Sequence, residues 1–223
     1  MFLASYVLMV TYVWTTRAQD VCALGNEKIY DDVPLIYHKE HFRRAGFHDP
    51  MHAINTAYEG IPDDSNEAAW SHLLDAGVVT ISPMENARLD HTSAPTRHDK
   101  SKFIVELEVF HQLHCLKWIR DRFWETELAA LDSSVLAQFP QRRNHTDHCI
   151  DYLRQAIMCG SDLTPITFEW ISEINGYIAH HSTQHVCRDF GAIYEWAKRR
   201  DDSGLQAGGN HMNVELQQHE KWD

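Results

Sequence analysis

Two stretches of the chain carry the same set of chemically capable side chains. Phe110-His-Gln-Leu-His-Cys-Leu-Lys-Trp-Ile-Arg120 is repeated 34 positions on as His145-Thr-Asp-His-Cys-Ile-Asp-Tyr-Leu-Arg154. Both copies read His-x-x-His-Cys, then an aliphatic, a polar residue, an aromatic, an aliphatic and Arg. A lone His is more often a satisfied core residue than a ligand; a doubled pentad argues for ligation. Imidazole ligation suits copper, zinc, iron or nickel rather than magnesium or calcium, and spacing does not choose among the first group. One copy offers half a site. Two copies side by side offer His111, His114, His145 and His148, enough for one closed ion or two open ones.

The elements that must position these rings are helices. Val109, Leu113, Leu116 and Ile119 recur at helical spacing around the first pentad, with no Gly or Pro. Residues three apart on a helix are neighbours, with roughly 5–6 Å between Cβ atoms, so each His pair can aim at one point. Cys115 and Cys149 flank the same faces. The second copy runs free of Gly and Pro from Thr146 to Cys159, and Gly160 is a natural stop. Upstream, Asp64 or Ser65 can cap a helix whose buried stripe is Trp70, Leu73 and Leu74. Val78–Ile81 reads as a short strand, and Ser82-Pro83 opens a second helix. Phe103–Leu107 is a strand end or the entry to the first motif helix; Asp162–Ile171 is extended or looped. A further helix holds Ile193, Tyr194 and Trp196. The expected fold is mainly α, a single domain with two central motif-bearing helices and a minor β contribution.

At 223 residues and 43% apolar composition, the chain supports one domain with a real core plus tails. A net charge of −12 argues against nucleic acid as a partner, because phosphate binding needs a basic surface. Phe2–Trp14 is an apolar run; as a helix it would be roughly 20 Å long, short of the ~30 Å hydrocarbon core. Thr16-Arg-Ala18 offers a small-x-small cleavage site, so residues 1–18 read as a signal peptide or a short signal anchor. Either delivers the body to the oxidising lumen of the secretory pathway, secreted or membrane-anchored. Residues 19–54 form a polar, His-rich extension, 55–200 the main domain and 201–223 a disordered tail poor in apolar residues. Asn144-His-Thr146 is the only glycosylation sequon, and a glycan there would crowd His145.

The paired pentads resemble those of the UstYa-like family of fungal mycotoxin and modified-peptide biosynthesis. The resemblance extends to His148-Cys-Ile-Asp-Tyr-Leu-Arg-Gln-Ala-Ile-Met-Cys159 with Asp162 following, and to the stretch from Ile61-Pro through Trp70-Ser-His-Leu. It also takes in Val79-Thr-Ile-Ser and Cys187-Arg-Asp-Phe through Trp196-Ala, and so covers roughly residues 55–200. It implies a copper-dependent oxidase that tailors a peptide or other secondary metabolite by oxidative cyclisation, desaturation, hydroxylation or halogenation. It also implies membrane association through the N-terminus, and action as a homo- or hetero-oligomer with a family paralogue.

In that frame Asp147, Asp151, Asp162 and Asp189 are the acceptors that could fix imidazole tautomers. Asp162, Arg154 and Asp189 form the expected catalytic set. Arg154 and Arg188 could hold a substrate carboxylate or pair with those acids; the salt bridge is the favoured reading. A thiolate beside a copper oxidant is at risk of oxidation. Disulfides Cys159–Cys187 and Cys115–Cys149 are therefore expected, the second only if the motif helices pack about a pseudo-twofold axis. Two other functions compete: a non-redox, pericyclic-type cyclase using the same pocket, and a metal-binding accessory subunit of a partner enzyme.

Overall fold

The structure, a computed structural model, describes residues 29–42, 56–129 and 140–200, the side chains of 140–144 excepted. The expected signal peptide or anchor, much of the polar extension, Cys22 and the tail from Asp201 lie outside the described residues.

Helix α1, Asp64–Leu74, is capped by Asp63, one residue before the earlier of the two expected caps. Asp63 accepts from the backbone N–H of Ser65 and Asn66, and the Asn66 side chain returns the favour to the Asp63 N–H. Strand β1, Val78–Ile81, and helix α2, Pro83–Asn86, follow as expected, with Ser82 and Glu85 forming the second capping box. Strand β2, Phe103–Leu107, runs without a break into helix α3, Glu108–Ala129. Helix α4 is Pro140–Gly160, strand β3 Pro165–Ile171, strand β4 Gly176–His180 and helix α5 Phe190–Lys198.

The β part is larger than expected: one four-stranded antiparallel sheet in the order β1-β2-β3-β4. Val79 faces Val105, Val105 faces Thr167, and Thr167 faces His180. The β3–β4 turn uses Asn175 at φ 48°, a left-handed conformation Asn tolerates. Strand β3 hides in sequence because its inner half, Pro165, Ile166 and Thr167, is buried as a run rather than alternating, and it opens on a proline. Ser93 locks the preceding loop to the sheet: its hydroxyl donates to the Ile104 carbonyl and accepts from the Phe168 N–H.

Two apolar clusters hold these layers. Ile81, Leu89 and Val105 pack with Ile29, Tyr30, Val79 and Phe103 against the sheet. Trp70, Leu116 and Ile150 pack with Tyr58, Leu73, Phe123 and Ile157 among α1, α3 and α4. Full burial of each such aliphatic side chain contributes about 1.5–3 kcal/mol. Helix α3 packs on α1, α4 and β2. It runs antiparallel to α4: Val109 N–H donates to the Asp162 carbonyl just past the end of α4, while near the other end Trp124 Nε1 donates to Asp147, 3.3 Å away.

The chain divides into two compact units, Met1–Val186 and Cys187–Asp223, the second containing α5. The expected catalytic region, 55–200, spans that division. No helix among the described residues is long and apolar enough to cross a membrane.

Candidate functional site

The repeated decad divides between two faces of its helices. The inner face is structural. Leu116 and Ile150, the aliphatic residues after each His-Cys, share one cluster with Trp70. The terminal arginines are buried at equivalent positions. Arg120, 0% exposed, donates from Nη1 to Glu67 (2.6 Å) and from Nη2 to Asn66 (2.8 Å), and its guanidinium lies over Trp70. Arg154, 6% exposed, donates from Nε to Asp151 (2.7 Å) and lies 3.9 Å over Tyr58. Tyr58 and Trp70 meet edge to face, with Trp70 Nε1 donating to the Tyr58 carbonyl. Arg154 is thus a salt-bridged core cation, not a free substrate clamp.

The outer face carries the imidazoles. His111 and His114 have ring centroids 6.2 Å apart. His111 also stacks on His181 at 4.4 Å, has Nδ1 3.8 Å from Glu106 Oε2, and has Nε2 3.6 Å from Cys115 Sγ. His145 and His148 have centroids 6.5 Å apart, and His148 meets Tyr152. Two imidazoles on one ion, each with its nitrogen about 2 Å from the metal, need ring centres within about 6 Å, so both pairs stand at the edge of that range. The antiparallel run of α3 and α4 sets the pairs toward opposite ends of the helix pair, roughly 15–20 Å apart along the axes at 1.5 Å per residue. Among the described residues no three His, Cys, Asp or Glu side chains converge to hold an ion as they stand. The arrangement therefore presents two separate ring pairs rather than four rings around one point. In donor chemistry the first, with imidazoles beside a thiol, fits the copper and zinc group.

The acids divide as well. Asp147 accepts from the Gly60 N–H and Trp124 Nε1, tying α4 to the loop before α1. Asp151 holds Arg154 and Gln155. Asp189 caps α5, accepting from the Ala192 N–H, which is a structural role. Asp162 accepts from the Thr164 N–H and faces His185 Nδ1 at 3.0 Å. Burial pushes its carboxyl up, but the bonds from Thr164 and His185 outweigh this and hold it below the usual range. Glu59, beside Asp147 and Asp151, is pushed up to about 7: burial raises it most, the Thr56 N–H opposes, and the two carboxylates raise it further.

Neither expected disulfide forms: Cys115, Cys159 and Cys187 are exposed free thiols. Cys115 lies on the outer face of α3 against His111, turned from the face that Leu113 and Leu116 bury, so the packed seam between helices does not bring it to a partner. Asn144 falls within α4, its side chain outside the described residues.

Sequence reasoning missed Glu106, His181 and His185. The available signal was three histidines in six positions, His180-His181-Ser-Thr-Gln-His185. Among the described residues, cavities open on the sheet and beside α4. One, about 880 Å³, is bounded by Arg88, His91, Phe168, Trp170, His180 and Thr183. Another, about 570 Å³, lies between the Val33–Phe42 segment and the end of α4, at Tyr58, Arg154 and Met158.

Comparison with known proteins agrees with the family resemblance. The family model described as mycotoxin biosynthesis protein UstYa matches residues 1–200. The UstYa family oxidase phomYc of Diaporthe leptostromiformis is 32% identical over 151 residues, covering 63% of this chain and 57% of the relative. The UstYa family oxidase VicYb of Bipolaris victoriae is 39% identical over 116 residues, 48% of this chain and 97% of the relative. Oxidase ustYa of Aspergillus flavus is 38% identical over 98 residues, 41% of this chain and 39% of the relative. The chain spans about half the length of the phomY-type relatives it matches. No solved structure matches it. The duplicated His-x-x-His-Cys helices and the family match over most of the sequence lead to one conclusion: this chain belongs to the UstYa family.

Proposed function

We propose that the chain is a copper-dependent oxidase that tailors a peptide or other fungal secondary metabolite by oxidative cyclisation, desaturation, hydroxylation or halogenation. The observation that carries this reading is the group at the start of α3, where His111 gathers His114, His181, Glu106 and Cys115 around itself. His111 and His114 would hold one ion, His145 and His148 a second. Bound copper would supply one-electron chemistry with dioxygen. The chain's own residues do the rest. Glu106 offers His111 a carboxylate, which favours the ring orientation a ligand needs. The buried Arg120 and Arg154 lock the two motif helices onto Tyr58 and Trp70, so the outer faces keep their shape. His180 and Ser182, on either side of His181, line the larger cavity, which makes that cavity the favoured substrate site. The proposal includes a secretory-pathway location, an N-terminal signal or anchor, and assembly with a second copy or a paralogue.

The test is metal content together with oxygen uptake on the biosynthetic precursor. Copper bound by the purified protein, oxygen consumed with turnover, and loss of one copper equivalent together with oxygen uptake in His111→Ala are expected. Turnover in the presence of a strong chelator, without oxygen consumed, would replace this reading with the non-redox cyclase. Copper binding with turnover only when a partner protein is added would replace it with the accessory subunit.

A further inference from the structure

Outside the pentads, Asp162, His185 and Thr183 form a hydrogen-bonded chain. Asp162 Oδ1 accepts from the Thr164 N–H at 2.9 Å, and Oδ2 lies 3.0 Å from His185 Nδ1. The hydrogen bonds that hold the Asp162 carboxyl below its usual range keep it ionised and acceptor-only. His185 Nδ1 must therefore carry the hydrogen. In the neutral ring that leaves the lone pair of Nε2 toward Thr183 Oγ1, 3.3 Å away, with the hydroxyl as donor. Hydroxyl, imidazole and carboxylate in that order is the arrangement by which a base, oriented by an acid, draws a proton from a hydroxyl.

The chain opens on a space. Thr183 and Thr164 both line the 880 Å³ cavity, whose lining also includes the aromatic residues Phe168 and Trp170. Among the other charged groups lining this cavity, Arg88 pairs with Asp31 and Glu169 with His180, while Asp90 lies on the wall beside Leu89 and His91. Tyr30, whose hydroxyl donates to the Leu163 carbonyl, is kept protonated because burial, then Glu85 and Asp162, push it up, so it does not compete as a base.

We propose that Thr183, His185 and Asp162 form a proton relay that takes a proton from a weakly acidic O–H or N–H of an aromatic ligand bound in this cavity. In the step, the ligand's O–H or N–H bond breaks and its proton passes to Thr183 Oγ1. The Thr183 proton passes to His185 Nε2. The products are a ligand anion and an imidazolium beside the Asp162 carboxylate. No electron is transferred and no oxidant is needed. Thr183 is the residue that touches the ligand; His185 and Asp162 act through it. The inference goes beyond the oxidase reading and stands without metal.

The test uses the full chain, stripped of metal, with 4-nitrophenol as a chromophoric weak acid. The bound probe is expected to show its phenolate band below its own midpoint. Its anion-to-acid ratio should rise about tenfold, a one-unit fall in pKa. Thr183→Ser keeps the band. His185→Gln and Asp162→Asn lose it while still binding the probe by equilibrium dialysis. Nitrogen-15 spectra of His185 should show the Nδ1–H tautomer in the parent chain and the Nε2–H tautomer in Asp162→Asn, which reads the relay without any ligand. Absence of probe binding, a bound probe that stays protonated, a band unchanged in His185→Gln, or an Nε2–H tautomer in the parent chain would each overturn the proposal. The metal-free assay reads neither copper content nor oxygen uptake, so its failure leaves the oxidase reading untouched, and the reverse.

Discussion

The imidazole of His181 stacks on that of His111, with ring centroids 4.4 Å apart and planes 29° from parallel. The two residues are 70 positions apart, and sheet register joins them: Thr167 facing His180 sets where the chain leaves β4 and lays the next residue over α3. Partners that orient a ligating ring commonly cost 10–100-fold in metal affinity when removed, so His181→Ala should weaken copper binding at the first pair by about tenfold without abolishing it. Competition against a chromophoric chelator measures this. An unchanged affinity would reduce the stack to packing.

If the pairs are separate half-sites, their losses are separable. The double variant His111→Ala/His114→Ala should lose one copper equivalent, and His145→Ala/His148→Ala the other, by elemental analysis against protein concentration. Complete loss in either double variant would mean the four rings share one ion after all.

Asp151 is 1% exposed and its carboxylate answers the buried Arg154. Truncating it strands a cation in the core. Asp151→Ala should therefore cost about 3–5 kcal/mol in urea unfolding, the range for breaking a buried pair from one side. A loss below about 1 kcal/mol would show that Arg154 finds water or another acceptor.

Glu59 gives stability a pH slope. Folded, it holds its proton to about 7; its ordinary value is 4.5. Between those values the folded chain binds more protons than the unfolded one, so stability falls as pH rises. The contribution is full below 4.5 and gone above about 7. For a side chain only 9% exposed the fall should be up to about 3 kcal/mol. Glu59→Gln keeps an oxygen for the Thr56 N–H and should flatten that window in urea midpoints taken across pH. An equal slope in parent and variant would assign the effect to other groups.

Helical period alone determined a good deal. It put each His pair on one face, placed both motif helices, and marked Ser82 and Gly160 as a start and a stop. Residue chemistry alone favoured the salt bridge of Arg154. Tertiary structure decided which face of each motif helix is buried. Tyr58 and Trp70 draw Leu116, Ile150, Arg120 and Arg154 inward, because apolar area and cation–ring contacts gain by leaving water, and this turns the histidines and Cys115 outward. Only the antiparallel run of α3 and α4 separates the His pairs. Only the sheet brings in Glu106, His181 and the Asp162–His185 contact. Spacing along a chain specifies neighbours within one helix; contacts between elements depend on packing energies summed over residues far apart in sequence, and no local pattern carries that sum.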